Sequence, residues 1–421
     1  MKIIKLTLVF LVAMGNLSCN KILAQLPDFM ERLDGGKVQS GNFYEKIPFE
    51  LEDNRIYINS VINDDEYRFL LDSYSPCLLY EYVVLKTDIA TIDKTKLLGN
   101  AFANTFLKPI YPLMDSISIG HVKFFEIGAM VMTKDSLNPM RNWNLDGIIG
   151  SNMMKNCIWQ LNFFDTTITL TDNISKCKYI SGAIQIPFSP KPIQGSPDII
   201  LMVGNDSINA EFDTGNNGFI NVLSPSILNM INEGKVVEWS IKKEFLIDKN
   251  TSDSIETHYY IRLDSMQFNQ WTLYDLPVVA YNPIYINTMN KGSVGIDFMK
   301  HYIITIDWIE NKIYLYPIEH YQLPDNKKTF GFTYKYLNNK YQINSVFKGS
   351  EAERLGISIG DEIISINNTD LTNISEDSTK NILSNGLFFS NNVDPEIDLI
   401  IKKNNKSVRY KLCSYYLFDF K

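Results

Sequence analysis

The spacing of apolar and polar residues along the chain predicts short β-strands separated by turns. The clearest runs are Arg55 to Ile62, Glu66 to Leu71 and Phe124 to Met132, with Asn, Asp and Gly residues between them. The chain is also rich in Ile, Val, Thr and aromatic residues, which favour strands over helices. These patterns predict a mainly β protein.

Two predicted hairpins stand about 145 positions apart. In the first, Cys157 to Phe163 is joined to Thr167 to Leu170 by a short polar turn. In the second, His301 to Asp307 is joined to Lys312 to Tyr316 in the same way. The similarity of the two hairpins suggests that a larger unit is repeated.

Further landmarks support an internal repeat over the first three quarters of the chain. Four of them recur in the same order, at offsets of 139, 141, 149 and 145 positions. They are Ile47–Phe49 and Ile186–Phe188, Asp72 and Asp213, Asp115–Ser116 and Asp264–Ser265, and Gly150 and Gly295. This match predicts a duplicated unit, and we call residues 45–175 repeat one and residues 183–320 repeat two.

The bulk composition is ordinary for a globular protein, with 45% hydrophobic and 21% charged residues. The net charge of −8 argues against a nucleic-acid partner, because such binding needs a basic surface. The four histidines are scattered, and none has a partner at the i, i+4 spacing of a helical zinc site. We therefore expect no metal and no cofactor.

Residues 1–24 have the pattern of a signal peptide, in which two lysines precede the apolar run Leu6 to Met14. Two cleavage sites compete. Cleavage before Cys19 would make that residue a lipid anchor, and cleavage after Ala24 would release an unlipidated chain. Either alternative predicts export, to the periplasm or to the cell envelope. Export permits disulfides, so Cys157 and Cys177 either pair or remain isolated thiols.

The residues around the repeated acids resemble the active-site loops of aspartic proteases, especially those of the retropepsin-like group. Each lobe of that family supplies one Asp from a D-[ST]-G loop, and a later apolar-apolar-Gly segment crosses behind the loop. Phe212–Gly215 matches the loop in full, and Ile148–Met154 is similar to the second segment. The resemblance covers about residues 45–318 and implies two pseudo-symmetric acid-protease β-barrel lobes.

The resemblance further implies a catalytic dyad of Asp72 and Asp213 that hydrolyses a polypeptide substrate. Two carboxylates about 3 Å apart cannot both ionise, so such a pair shares a proton and titrates as a unit. The ionised partner can deprotonate a water while the protonated partner donates to the scissile carbonyl. By the same resemblance, Ser73 and Thr214 would link the two loops through hydroxyl-to-backbone hydrogen bonds, and Gly215 completes the second loop.

The first loop departs from the family pattern at Tyr74, where the family has glycine. Glycine serves where φ is positive or backbones approach closely, and another residue in left-handed geometry costs about 1–2 kcal/mol. The phenol could also occupy the place of the water. Two hypotheses therefore stand: an exported aspartic endopeptidase, and a catalytically inactive protease fold that binds peptides or acts as a scaffold. The best candidate for a flap over the cleft is Leu98 to Pro112.

Residues 329–414 resemble a bacterial PDZ domain, a small α+β module, on the segments Gly349–Ile357 and Gly360–Asn367. Ser350 is expected to cap a short helix that precedes an alternating strand. A second helix is predicted at Ser375 to Ser384, followed by a closing hairpin of Glu396 to Lys402 with Val408 to Leu412.

The PDZ resemblance implies that an extended peptide or a protein C-terminus would add beside the strand that follows Phe330, Gly331 and Phe332. The carboxylate of that peptide would then meet backbone N–H groups of the loop. The alternative is a module that docks against the repeats with an unused groove. We expect the whole protein to be a monomer.

Overall fold

The structure is a computed structural model that describes residues 33–87, 91–92, 98–99, 106–107, 111–134, 140, 143–234, 236–247, 250–281, 289–318, 328–337, 340–372, 395–403 and 406–417. Strand accounts for 57% of it and helix for 11%, which confirms the prediction of a mainly β protein. The segment with Cys19 and the predicted helix at Ser375 to Ser384 lie outside the described residues. Across the described ranges, no helix is long and apolar enough to cross a membrane.

Thirty-four strands are described, numbered in chain order. They are β1 Lys37–Val38, β2 Tyr44–Pro48, β3 Glu50–Glu52, β4 Arg55–Ile62, β5 Asp65–Asp72, β6 Leu78–Tyr80, β7 Thr91–Ile92, β8 Leu98–Gly99, β9 Phe106–Leu107, β10 Tyr111–Ile119, β11 Val122–Gly128, β12 Met130–Met132, β13 Gly147–Gly150, β14 Ile158–Asn162, β15 Thr167–Thr171, β16 Ile184–Pro187, β17 Ser189–Pro190, β18 Pro197–Val203, β19 Asp206–Phe212, β20 Ile220–Leu223, β21 Val237–Ile247, β22 Asn250–Phe268, β23 Trp271–Tyr281, β24 Lys291–Val294, β25 Tyr302–Asp307, β26 Lys312–Pro317, β27 Lys328–Thr329, β28 Phe332–Leu337, β29 Lys340–Phe347, β30 Glu362–Ile366, β31 Thr369–Asp370, β32 Glu396–Lys403, β33 Lys406–Cys413 and β34 Tyr415–Tyr416.

The helices are few and short. In the described ranges they are α1 Glu81–Thr87, α2 Ser151–Met154, α3 Pro225–Asn232, α4 Ile296–Met299 and α5 Glu351–Arg354, with one 3₁₀ turn at Ile174–Lys176. The helices α1 and α2 of repeat one have counterparts in α3 and α4 of repeat two, since each pair follows corresponding strands. The predicted strands and hairpins of the described residues are all present.

The two repeats share one pattern of strand pairing. In repeat one, β5 runs antiparallel to β4 and parallel to β13, and β13 runs antiparallel to β6. In repeat two, β19 pairs in the same way with β18 and β24, and β24 pairs with β20. Ile148 and Ile149 of β13 point to opposite faces and both are buried, so the sheet is covered on both sides here, which explains why these residues and Phe212 of β19 are apolar.

A six-stranded sheet joins the repeats, in the order β16-β26-β25-β14-β15-β2. The strand β14 of repeat one lies antiparallel to β25 of repeat two, with Gln160 opposite Thr305. The side-chain amide of Gln160 donates a hydrogen bond to the Thr305 hydroxyl at 2.7 Å. One continuous hydrophobic core covers both repeats and includes the buried rings of Trp159 and Trp308.

The C-terminal domain has a core of its own. Thirteen buried residues form it: Phe330, Phe332, Tyr341, Ile343, Ala352, Ile357, Ile363, Ile366, Leu371, Ile397, Leu399, Ile401 and Leu412. As predicted, Ser350 caps α5, since its hydroxyl accepts the N–H of Glu353 at 3.1 Å. The closing hairpin is also present, with β32 antiparallel to β33.

The C-terminal domain is docked on repeat two through a continuous sheet. The strand β29 pairs with β21, and Ser240 lies opposite Val346 at the centre of the contact. Behind this pairing, Phe347 is fully buried and its ring stacks on Tyr260, with centroids 6.2 Å apart. The C-terminal domain therefore packs against repeat two, which is the docked position of the second alternative. This packing is compatible with a groove that binds a peptide.

Two further expectations concern the cysteines and the flap candidate, Leu98 to Pro112. Cys77, Cys157, Cys177 and Cys413 are free thiols, so Cys157 and Cys177 are not paired. Within the flap candidate, Leu98 pairs with Leu107 as part of a two-stranded β8–β9 hairpin, while most of the segment lies outside the described residues.

Candidate functional site

Strand β5 carries Asp72 as its last residue. Phe69, Leu70 and Leu71 are buried and anchor the strand, so the chain must turn at Asp72, where β5 ends. Gly150 of β13 lies beside Asp72 in the parallel register. A Cβ atom on Gly150 would stand 2.2 Å from a backbone carbon of Pro76, which leaves room only for glycine.

Repeat two places Asp213 in the same way. The buried Phe212 ends β19, and the N–H of Asp213 donates to the carbonyl of Val294 in the neighbouring β24 at 3.0 Å. Gly295 follows β24 and passes so close to the acid loop that a Cβ atom there would lie 2.4 Å from the carbonyl oxygen of Gly218. In both repeats, the glycine of the repeated landmark (Gly150 or Gly295) thus allows two backbone segments to approach closely.

The structure brings the Asp72 and Asp213 side chains together, 141 positions apart in the sequence. Asp213 is buried and Asp72 is half-buried, and their carboxyl groups hydrogen-bond to each other. The Asp72 carboxyl also packs directly on Gly215, where a Cβ atom would stand 2.3 Å from Asp72 Cγ. Because the carboxyls are in contact, no ring lies between them.

Burial raises the pKa of both carboxyls above the ordinary range of aspartate. The two are not equivalent. Asp72 accepts backbone N–H groups from Tyr74 at 2.9 Å and Ser75 at 3.0 Å, which offsets part of the rise in its pKa. Asp213 accepts only the N–H of Gly215 at 2.8 Å, and the neighbouring Asp72 charge raises its pKa well above the usual value. The ionised form of Asp72 is therefore the better stabilised by backbone N–H groups.

Ser73 and Thr214 form a reciprocal set of hydrogen bonds across the two repeats. Each hydroxyl accepts the other residue's backbone N–H, at 2.8 Å for Ser73 N–H and 3.0 Å for Thr214 N–H. Each hydroxyl also donates across the interface, Ser73 to the Phe212 carbonyl at 2.7 Å and Thr214 to the Leu71 carbonyl at 3.1 Å. Both side chains are fully buried, so these four bonds hold the two acid loops at a constant separation.

Tyr74 does not adopt the left-handed conformation that a glycine position would allow, since its φ is not positive. The phenol donates to Asp198 Oδ1 of repeat two at 2.7 Å. Lys191 Nζ lies over the ring, 4.0 Å from its centroid, and makes a cation–π contact. Burial raises the pKa of the phenol strongly, so Tyr74 remains a neutral donor.

Sequence reasoning missed the residues of repeat two that receive Tyr74. These are Lys191, Gln194, Asp198 and Glu211, and we call them together with Tyr74 the Tyr74 cluster. A signal was available in the sequence, because the stretch between the Ile-Pro-Phe landmark and the following apolar strand is longer in repeat two than in repeat one.

The chemistry of the site is acid–base chemistry. A pair of carboxyls that shares a proton offers one base and one acid at a single place. Across the described residues, no group of three or more His, Cys, Asp or Glu side chains is arranged to hold a metal ion.

In the C-terminal domain, Phe330 and Gly331 lead into β28, which begins at Phe332. Both phenylalanine rings are buried in the core, and Gly331 has a φ of +87°, which favours glycine. The Gly331 N–H donates to the Thr329 hydroxyl at 3.1 Å. In the described part of the chain β28 pairs antiparallel with β29.

Comparison with known proteins identifies this C-terminal domain. The family model of the PDZ domain matches residues 321–386. No curated protein matches the chain. Residues 321–386 therefore contain a PDZ domain, as the sequence signature predicted, and a peptide partner is supported because PDZ domains bind peptide C-termini.

Proposed function

We propose that the protein is an exported aspartic-type endopeptidase of the two-lobed, retropepsin-like kind, in which repeats one and two are the lobes. The observation that carries the proposal is the hydrogen-bonded pair of carboxyls of Asp72, which is half-buried, and Asp213, which is buried. The bonds of Ser73 and Thr214 support it, because they brace both loops from the two sides of one interface.

The asymmetry of the pair assigns a role to each acid. Asp72 ionises first because two backbone N–H groups stabilise its charge, so it is the base that deprotonates the attacking water. Asp213 keeps the proton and donates it to the oxygen of the scissile carbonyl. The resulting tetrahedral gem-diol collapses when a proton passes to the leaving amine, and no covalent enzyme intermediate forms.

The PDZ domain would recruit or position the polypeptide. An extended segment would add as a strand beside β28, and its C-terminal carboxylate would lie at Phe330 to Phe332. We further propose export by residues 1–24, with Cys19 as the lipid anchor if cleavage occurs before it.

Tyr74 favours a second candidate function, an inactive protease fold that binds peptides or acts as a scaffold. A tyrosine at the glycine position of the first loop removes the symmetry of the dyad. This candidate uses the same PDZ groove and predicts peptide binding without cleavage.

A cleavage assay separates the two candidates. We expect the purified protein to cut members of a peptide library or casein, and Asp72→Ala and Asp213→Ala each to lower kcat/KM by about 10²–10⁴-fold, the usual contribution of an acid or base. Asp264→Ala, which changes an exposed aspartate of β22, is the matched control and should keep full activity. Cleavage that survives both dyad substitutions contradicts the proposal, and binding without cleavage favours the scaffold.

The pH profile gives an independent check. Activity requires Asp72 to be ionised and Asp213 to be protonated, so it falls below the pKa of Asp72 and above that of Asp213. Because both pKa values are raised, the active range should lie on the less acidic side of the ordinary aspartate value of about 3.9.

A further inference from the structure

The loop of repeat two that faces the first acid loop is longer than its counterpart. In repeat one, only Asp53 and Asn54 separate β3 from β4. In repeat two, the six residues 191–196 separate β17 from β18. The short turn of repeat one faces the loop that contains Gly215, and Asn54 donates to the Asn217 carbonyl at 3.3 Å. The longer loop of repeat two faces Tyr74.

Tyr74 is held at three points by this longer loop and the start of β18. Its phenol donates to Asp198, its ring lies under Lys191, and its carbonyl oxygen accepts the Gln194 side-chain amide at 3.1 Å. Both ends of the residue, the side chain and the main chain, are therefore tied to repeat two.

The partners of Tyr74 are themselves fixed. Gln194 also donates to Ser196 at 2.7 Å, and the Ser196 hydroxyl lies 3.0 Å from that of Ser151, next to the glycine behind Asp72. The second oxygen of Asp198 accepts the Asn209 amide at 3.2 Å. A side chain that contacts a set of partners with fixed positions is itself held in one position.

We propose that Tyr74 is a positioning residue, whose anchored phenol holds its own backbone N–H against the Asp72 carboxyl and so sets the order in which the two acids ionise. This inference rests on the proposed dyad. It assigns a role to the residue that departs from the family pattern, since the anchored tyrosine takes over from glycine in shaping the loop.

The charged surroundings of Asp72 determine how the effect can be measured. The titratable groups near the dyad are Asp213 in direct contact and, farther out, Tyr74, Lys191, Asp198, Glu211 and Lys291. Tyr74→Phe removes only the phenol oxygen, so all of these charges stay in place. A change in the titration of Asp72 then reports the hydrogen bond and not a change in charge.

Tyr74→Phe is the first test. We expect the acid limb of the kcat/KM–pH profile to move to higher pH by about 0.5–1 unit, because complete loss of one hydrogen bond to a carboxylate amounts to about 1–2 units. Asp198→Ala removes the acceptor from the other repeat together with one negative charge, whereas Asp198→Asn loses the same charge and keeps an acceptor. The acid limbs of these two variants should therefore differ by the shift that Tyr74→Phe gives. The double variant should add nothing to the effect of Asp198→Ala, since both changes break one bond.

Two controls separate positioning from mere stability. Asp198→Asn keeps an acceptor for the phenol, so its acid limb reports the loss of the Asp198 charge alone. Tyr314→Phe removes a buried phenol on the six-stranded sheet and should leave the profile unchanged. A purely structural role would lower the melting temperature without moving the acid limb, and such a result overturns the proposal, as does an Asp198→Asn shift equal to that of Asp198→Ala.

A second readout keeps this inference separate from the proposed activity. If the wild-type protein cleaves nothing, the endopeptidase proposal fails, and the aspartate carboxyls can still be titrated by NMR in protein labelled with ¹³C at Asp Cγ. The Asp72 and Asp213 signals are assigned by their loss in the two alanine variants. An upward shift of the lower transition in Tyr74→Phe supports the positioning role, and an unchanged titration refutes it.

Discussion

At the scale of single residues, the candidate site depends on atoms that pack closely. The Asp72 carboxyl packs against the Cα atom of Gly215. The two carboxyls can hydrogen-bond because no side chain lies between them. The sequence shows that a glycine follows Asp213-Thr214, and the structure shows what the glycine is for. Tyr74 carries a side chain at the corresponding position of the first loop, so the two sides of the dyad differ.

Gly215→Ala should therefore damage the site. The new methyl group would stand 2.3 Å from Asp72 Cγ, so the carboxyl must move. We expect a loss of about 100-fold in activity from a displacement of about 1 Å and a cost of about 1–3 kcal/mol in the free energy of unfolding. Peptide cleavage and denaturant unfolding measure the two effects.

Gly218→Ala is the matched control for that substitution. It lies in the same loop with a φ outside the left-handed region, and the nearest atom to its methyl group would be the end of the Asn216 side chain at 3.0 Å. Its activity should stay near that of the wild type. Equal losses in the two variants would show that the loop as a whole, and not the contact with Asp72, is sensitive.

At the scale of elements, the local sequence predicts the strands and the helix cap, because each of them depends on residues that are neighbours along the chain. The strand β5 is apolar up to the acid that ends it, and β14 and β15 alternate around a polar turn. The helix α5 begins where a serine supplies the cap. In the structure that cap has a second contact, since the Ser350 hydroxyl donates to the Gly331 carbonyl at 3.4 Å.

Ser350→Ala should affect both the helix and the peptide-binding loop. Loss of the N-cap costs about 0.5–2 kcal/mol in the free energy of unfolding. Loss of the contact with Gly331 should loosen the loop and weaken the binding of a fluorescent peptide selected from a library of C-terminal sequences. Fluorescence anisotropy measures the affinity.

Ser224→Ala is the control, because it removes the corresponding cap from α3 in repeat two. It should lower stability by a similar amount while leaving the peptide affinity unchanged. If Ser350→Ala also leaves the affinity unchanged, the serine acts only as a helix cap.

At the scale of the whole molecule, one sheet runs from the second acid loop into the PDZ domain. Its central path is β19-β24-β20-β23-β22-β21-β29. The hairpin β21–β22 stands between the acid loop and the Asp-Ser landmark in repeat two, as the flap candidate does in repeat one. The PDZ domain is therefore attached to the part of repeat two that corresponds in sequence order to residues 98–112 of repeat one.

Phe347→Ala should separate the PDZ domain from repeat two. Phe347 belongs to neither main core and packs with Leu417, Val237 and Tyr260 at the junction. Removing a buried phenylalanine costs about 3–5 kcal/mol. We expect calorimetry to change from one unfolding transition to two, with the PDZ domain melting first.

Lys348→Ala gives the contrast at the same junction. Its ion pair with Glu238, at 2.8 Å, is largely exposed and should contribute less than about 1 kcal/mol. A single transition in both variants would mean that strand pairing alone holds the domains together.

The sequence by itself determined what depends on local order: the strands, the hairpins, the cap at Ser350, the PDZ signature and the repeat that marks Asp72 and Asp213. Only the tertiary structure decided how distant groups meet. The contact between two carboxyls 141 positions apart, the anchoring of Tyr74 by Asp198 and the pairing of Ser240 with Val346 all join residues that have no pattern in common. Hydrophobic periodicity shows which face of a strand is buried, but the partner of a polar side chain is set by where the folded backbones cross.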